Sequence, residues 1–281
     1  MTVVAVLGAG ALGSAMAERL AESGVRVRLW NRTAQKARDT AENSDNITAV
    51  DSAKAAVAGT DAVFTVLRDG AAVHSTVAPL IDDFGHAVWI QVSTVGVESA
   101  AELRGLADAH GVAYLDAPVS GSTQPARAGS LIWLVAGADD VLERARPVLQ
   151  FLGSSIQHVG TANEASALKL AVNAWLVATT VALSDVLGLC DELGLDHALF
   201  RDAVRGGSLA MPYALAKAEL MERRDYTPGF TVELALKDIE LAEQATGSSS
   251  ALIADARDRL ERTVKAGYGR EDLGAVDVLR P

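Results

Sequence analysis

A single cysteine, Cys190, in 281 residues excludes an intrachain disulfide and a cysteine-rich metal site, and it fits a reducing, cytoplasmic compartment. Positive charge is scarce too. Against 36 Asp and Glu there are 25 Lys and Arg, a net charge of -11 shared by both halves. No basic stripe is present to neutralise a row of phosphates, so nucleic acid is not an expected partner. Long uninterrupted apolar runs are missing as well. Thr2 to Leu7 is too short to span a bilayer and lacks the basic leader of a signal peptide. Ala165 to Leu189 is longer, but Lys169, Asn173 and Asp185 interrupt it, which reads as a buried helix of a soluble protein rather than a membrane span. His74, His86, His110, His158 and His197 are scattered without metal-ligand spacing, so no metal is expected.

What is present divides the chain in two. From Thr2 to about Gly160, short β-rich runs alternate with Ala-rich helical stretches, the pattern of repeated βαβ units around a doubly wound parallel sheet, a Rossmann domain. The strands fall at Val3 to Leu7, Arg26 to Trp30, Ala62 to Val66, Val88 to Gln91, Ala113 to Ala117 and Leu131 to Ala136. From Thr161 onward, Ala/Leu-rich segments follow one another with almost no strand signal, which predicts an all-α domain over 161–281 after an α/β domain over 1–160. Thr161-Ala-Asn-Glu164 has the spacing of a capping box, and Gly194 suits a C-terminal cap. The helix between them would hold roughly thirty residues and span about 45 Å.

Gly8-Ala9-Gly10-Ala11-Leu12-Gly13 follows the first strand and leads into a helical segment, the context in which G-x-G-x-x-G signals a dinucleotide site. Gly8 would allow the turn, Gly10 the approach of a pyrophosphate, and Gly13 close packing of the helix on the sheet. After the second strand stands Asn31-Arg32-Thr33, where a free ribose would call for Asp or Glu. A guanidinium forks onto phosphate and cannot accept from a hydroxyl, so NADP(H) is favoured over NAD(H), unless Arg32 is only a solvated charge. Lys169 and Asn173 are four residues apart and share a helix face among apolar neighbours. Periodicity alone leaves two readings open, a lysine that snorkels to water and one held in a cleft as a proton donor; Asn173 beside it favours the second.

With these motifs the sequence resembles the β-hydroxyacid dehydrogenase family, the 3-hydroxyisobutyrate dehydrogenase-like enzymes with their NADPH-dependent semialdehyde and glyoxylate reductase relatives. The resemblance covers nearly the whole chain. It rests on Gly8 to Gly13, Val92-Ser-Thr94, Asp116-Ala-Pro-Val-Ser-Gly121, Lys169-Leu-Ala-Val-Asn173, and Phe230 followed by Lys237-Asp238. It implies that Lys169 is the general acid/base with Asn173 as its polar neighbour, and that Ser120, Gly121 and Ser122 form the loop receiving a substrate carboxylate. Thr94 and Lys237 would lie near the nicotinamide, and Leu67-Arg68 would follow the strand that passes beneath the cofactor. Read without the resemblance, Ser120 and Thr94 serve equally as turn or capping hydroxyls, and Lys237 as a surface charge paired with Glu233.

Four positions depart from the family pattern: Ser122 and Val97 stand where a Gly and a Pro are usual, and Asn163 and Ala165 replace two Gly before the catalytic helix. The resemblance therefore implies a reaction class, hydride transfer between NADP(H) and a small hydroxyacid, semialdehyde or ketoacid, more firmly than a substrate. The alternatives are an imine reductase, in which Asp or Tyr typically takes the place of the Lys, and a non-catalytic NADPH-binding module. The apolar helical half, with Trp175, Leu176 and Val177, points to a homodimer or larger homo-oligomer.

Overall fold

The computed structural model describes residues 2–280. They form two compact units, Met1–Lys169 and Leu170–Pro281.

The first unit is built on nine strands: β1 Val3–Leu7, β2 Arg26–Trp30, β3 Ile47–Ala49, β4 Ala62–Thr65, β5 Val88–Gln91, β6 Ala113–Asp116, β7 Val119–Ser120, β8 Leu131–Ala136 and β9 Gly153–Gly160. Six of them lie parallel in the order β3-β2-β1-β4-β5-β6. Successive residues of these strands are buried on opposite faces: Val4, Val6 and Phe64 enter one apolar layer, and Ala5, Leu7 and Val63 the other. A sheet covered on both faces needs such continuous apolar runs, which is why β1, β4 and β5 stand out in the sequence.

Two features differ from the expected all-parallel sheet. β8 runs antiparallel to β6 and β7, while β9 lies parallel on its other side. Strands β3, β7 and β9 were not anticipated. β3 and β7 have only three and two residues, and β9 is a largely exposed, polar edge strand without alternation.

Around the sheet lie seven helices, α1 Ala11–Glu22, α2 Ala34–Ala41, α3 Ala53–Val57, α4 Gly70–Val77, α5 Val97–Ala109, α6 Thr123–Arg127 and α7 Asp139–Leu152. The long helix α8, Glu164–Glu192, has 29 residues. It begins two residues later than a cap at Thr161 would place it. The Glu164 carboxylate accepts from the Ala162 N–H at 2.7 Å, and the Thr161 carbonyl accepts from Arg104. Its end is as expected: Gly194 has φ +67°, its N–H donates to Asp191 O, and the Leu195 N–H donates to Cys190 O, a Schellman cap. The first turns of α8, as far as Lys169, belong to the first compact unit. Among the described residues, α8 is the one helix long and apolar enough to cross a membrane by length and composition alone. Its polar side chains Asn173, Ser184 and Asp185 are bonded to Asp238, Asp277 and Arg259.

The second unit continues with α9 His197–Arg205, α10 Pro212–Glu222, α11 Val232–Thr246 and α12 Ala251–Thr263, closed by a 3₁₀ segment, Leu273–Leu279. Val177, Val181 and Leu187 of α8 pack with Met221, Ile239, Leu260 and Val276. Inside this unit the buried Asp272 carboxylate accepts from Lys217 Nζ at 2.5 Å and from the N–H groups of Gly274, Gly229 and Phe230 at 2.9, 3.1 and 3.4 Å. It thereby ties α10 and the closing segment to the loop that starts α11. Lys217→Met should lower stability by about 3 kcal/mol in denaturant unfolding, because it strands a buried carboxylate. A loss under about 1 kcal/mol would mean that the backbone donors suffice.

Candidate active site

Parallel pairing sets the last residues of five strands side by side: Trp30, Leu7, Thr65, Gln91 and Asp116 are successive register partners. The segments that follow them carry Asn31, Gly8, Leu67, Thr94 and Ser120. Most of the expected site residues of the first unit therefore leave the sheet along one edge, where open α/β sheets bind ligands.

The three motif glycines have distinct duties. Gly8, at φ +122°, donates its N–H to Trp30 O at 2.8 Å, and a Cβ there would lie 2.1 Å from Val66 O. A Cβ on Gly13 would lie 1.9 Å from Gly8 O, whereas one on Gly10 would meet nothing within 4 Å. Two glycines are thus demanded by the fold, and the third, the N-cap residue of α1 just before Ala11 and Leu12, has open space where a Cβ would stand.

Helix ends along this edge also differ. The Asp69 carboxylate caps α4, and α5 carries Glu98 in its first turn. α1 and α2 have neither a side-chain cap nor an acidic residue in the first turn, so their positive ends are left for an anion. At the start of α2 stand Arg32 and Thr33, both exposed, with Lys36 one turn on. Asn31 holds the loop instead of facing out. Its Oδ1 accepts from the Ala9 N–H at 3.0 Å and its Nδ2 donates to Thr33 O at 3.0 Å.

Beneath Leu67 and Thr94 lies a buried polar network that sequence reasoning missed. Trp89 Nε1 donates to Thr65 Oγ1 at 3.0 Å, which bonds Gln91 Oε1 at 3.2 Å; that oxygen also accepts from the Ser93 N–H at 2.9 Å. Ser93 Oγ donates to Thr65 O and accepts from the Leu67 N–H at 2.8 Å. Thr94, half-buried, follows directly, while Arg68 is exposed. Polar residues ending apolar strands were the available signal.

Ser120 is half-buried at the end of β7. Gly121, at φ +119°, has no room for a Cβ, which would lie 2.9 Å from Leu131 Cδ2 and 3.0 Å from Pro125 Cβ. Ser122 is the N-cap residue of the short helix α6. Two of the family departures touch each other, since Asn163 Nδ2 donates to Val97 O at 3.3 Å, a bond no glycine could make. Ala165 is fully buried.

At the start of α8 the Asp116 carboxylate accepts from both the N–H and the Oγ–H of Ser166, at 2.7 and 2.8 Å. Burial pushes this carboxyl up to about 6 against the two hydrogen bonds, with Glu164 adding to the rise. Lys169, half-buried, stands three residues beyond Ser166.

In the second unit, buried Asn173 donates Nδ2 to Asp238 Oδ2, and Lys237 Nζ lies 2.6 Å from Asp238 Oδ1. Asp238, named in a motif but given no role by sequence, is the hub of this cluster.

Residues 3–160 match the family described as the NAD binding domain of 6-phosphogluconate dehydrogenase, and residues 163–279 match the NAD-binding domain of NADP-dependent 3-hydroxyisobutyrate dehydrogenase. A probable 3-hydroxyisobutyrate dehydrogenase of Mycobacterium tuberculosis is 32% identical over 92% of this chain and 91% of its own. An NAD-dependent L-serine dehydrogenase of Pseudomonas aeruginosa is 30% identical over 99% and 98%. Among solved structures, M. tuberculosis 3-hydroxyisobutyrate dehydrogenase with L-serine superposes with a TM-score of 0.86 at 30% identity, covering 100% of both chains. A reductive aminase from Aspergillus terreus in complex with NADPH and ethyl levulinate reaches 0.68 at 25% identity, again over 100% of both.

The glycine geometry predicts opposite outcomes at two positions of one loop. Gly8→Ala should cost several kcal/mol and yield little folded protein, about what a core clash and a forced positive φ produce together. Gly10→Ala should fold with a melting temperature near wild type and lose dinucleotide affinity, read by fluorescence titration. Equal melting temperatures for the two variants would refute the division of duties.

Proposed function

Because the chain belongs to the β-hydroxyacid dehydrogenase family of NAD(P)-dependent oxidoreductases, we propose that it transfers a hydride between NADP(H) and a small β-hydroxyacid, semialdehyde or ketoacid, with Lys169 as general acid/base. The observation that carries this reading is local. Lys169 and the Ser120–Ser122 loop are joined through Asp116, which begins the loop segment and holds the turn before the lysine.

The residues present fit a phosphorylated dinucleotide. The uncapped end of α1, beside the open face of Gly10, receives a pyrophosphate without a competing carboxylate. The equally uncapped start of α2, with Arg32, Thr33 and Lys36, suits a second anion on the adenosine ribose, and this supports NADP(H) over NAD(H). A nicotinamide, when bound, supplies or takes the hydride. In reduction the Lys169 ammonium would give its proton to the carbonyl oxygen as the carbon takes up the hydride, leaving an alcohol; in oxidation Lys169 would take that proton back. Ser120 and the Gly121 N–H hold the substrate carboxylate, Ser122 narrows that loop, and Thr94 and Lys237 position the nicotinamide. Asn173, oriented by Asp238, binds the reacting oxygen.

The oligomeric reading rests on exposed apolar surface. All nine large hydrophobic side chains left exposed among the described residues lie between Trp175 and Tyr268. On α8, exposed Ala171, Trp175, Ala182, Val186 and Leu189 recur at spacings of three, four and seven, with Trp175 64% exposed. Such a stripe suits a second copy of the chain, as a homodimer in the cytoplasm. Trp175→Asp should weaken self-association at least about tenfold in sedimentation velocity; a wild-type profile would place the interface elsewhere.

The catalytic proposal is tested by titrating NADPH and NADH and assaying glyoxylate, succinic semialdehyde, methylmalonate semialdehyde and a cyclic imine. NADPH should bind at least about tenfold tighter than NADH, a preference that Arg32→Ala removes. Turnover of an aldehyde or ketoacid should fall at least about 100-fold in Lys169→Ala. Turnover of the imine alone, or of nothing, would move the assignment to an imine reductase or a cofactor-binding module.

A further inference from the structure

Asp116 is a carboxylate placed at the end of a central strand and fully buried. An aspartate there is costly, and a capping role local to its own strand does not account for it. Both of its oxygens instead reach Ser166, 50 residues away, taking the amide and the hydroxyl of the third residue of α8. Glu164 and Ala165 precede Ser166, and Lys169 follows one turn later.

We propose that Asp116 is a positioning residue for the proton transfer: its carboxylate caps α8 from the neighbouring strand, and so sets where Lys169 stands relative to the Ser120–Ser122 loop. This rests on the reading of Lys169 as acid/base. Loop and helix meet in one side chain, because the five residues from Asp116 to Ser120 form a segment short enough that a shift of one end entails a shift of the other. The Ala117 N–H donates to Gln91 O at 2.8 Å and the Leu134 N–H to Pro118 O at 3.0 Å, so the loop segment is itself held at both of its first residues. The anchor on the helix is therefore fixed to the sheet, and the two bonds to Ser166 transmit that fixity.

Glu164 lies on α8, its carboxylate lowered by hydrogen bonds to the Ala162 and Glu164 amides. Tyr114 lies on β6 with a buried hydroxyl, Arg104 reaches from α5 to Thr161 O, and His158 of β9 bonds Gly137 O at 2.9 Å. With its carboxyl raised to about 6, Asp116 favours folding most when protonated; that contribution is complete below the usual aspartate range and is lost as pH rises through about 6. Activity should run the other way. Reduction needs Lys169 protonated, which falling pH does not oppose, so an acid limb near pH 6 reports loss of the charged cap.

The test compares wild type with Asp116→Asn, Ser166→Ala, Ser166→Thr and Lys169→Ala, measuring NADPH affinity, kcat and KM of reduction from pH 5 to 8, and amide hydrogen exchange over 164–175. Asp116→Asn should lower kcat about 10- to 100-fold, the cost of a displacement near 1 Å. It should leave NADPH affinity within about twofold by the same argument, flatten the acid limb, and speed exchange at the start of α8. Ser166→Thr should restore most of what Ser166→Ala loses. Wild-type kcat and an unchanged acid limb in Asp116→Asn would overturn the proposal, as would faster exchange without any fall in kcat. If Asp116→Asn does not fold, Ser166→Ala decides by the same two readouts. Full activity in Lys169→Ala would overturn the acid/base reading itself, and with it this inference, whereas failure of the inference alone leaves Lys169→Ala inactive.

Discussion

Parallel strand pairing is the constraint on which the candidate site depends. When neighbouring strands run the same way, every strand must end at the same edge, and the segments after them share it. Trp30, Leu7, Thr65, Gln91 and Asp116 form one row across five strands, so segments beginning at positions 8, 31, 66, 92 and 117 start within a few ångströms of their neighbours along that edge. The row is made rigid by polar groups that the interior obliges to pair. Trp89, Thr65, Gln91 and Ser93 satisfy one another, and removing any of them would leave a buried partner without its hydrogen bond.

Electrostatics then distinguishes helices that the fold treats alike. α4 and α5, leaving the same edge, satisfy or neutralise their N-terminal ends with Asp69 and Glu98. α1 and α2 do not, and their ends flank the glycine loop and Arg32. α8 is capped in a third way, by a carboxylate from β6, which places a negative charge on a helix N-terminus while burial resists that charge. The departures from the family pattern follow the same logic. Asn163 and Val97 are in contact, since the Asn163 side-chain amide donates to the Val97 carbonyl, a bond that needs the asparagine and that any residue at position 97 could accept.

Much of this was legible in the residues alone. Strands β1, β4, β5 and β8 declare themselves because burial on both faces requires unbroken apolar runs. Gly8, Gly10 and Gly13 carry their meaning in their spacing, and Gly194 ends α8 because only a glycine takes its positive φ without strain. Lys169 and Asn173 stand out as polar breaks in an apolar helix. Each of these signals is local, decided by a residue and its near neighbours in sequence.

Contacts between distant segments were decided by tertiary structure alone. The antiparallel turn of β8 against β6 and β7, and the polar strand β9, depend on which edge was available to pair and leave no periodicity behind. Helix α8 starts at Glu164, two residues later than a Thr161 cap would place it, and Asp116 caps its first turn from another element. Asn31 turned inward to hold Ala9, and Asp238 emerged as the partner of Asn173 across 65 residues. The sequence by itself determined which segments become strands and helices and where a phosphate can approach, because those follow from local sterics and patterning. Which buried polar groups meet was left to the packed chain, because a hydrogen bond between residues 50 or 65 apart exists only once folding has brought them within reach.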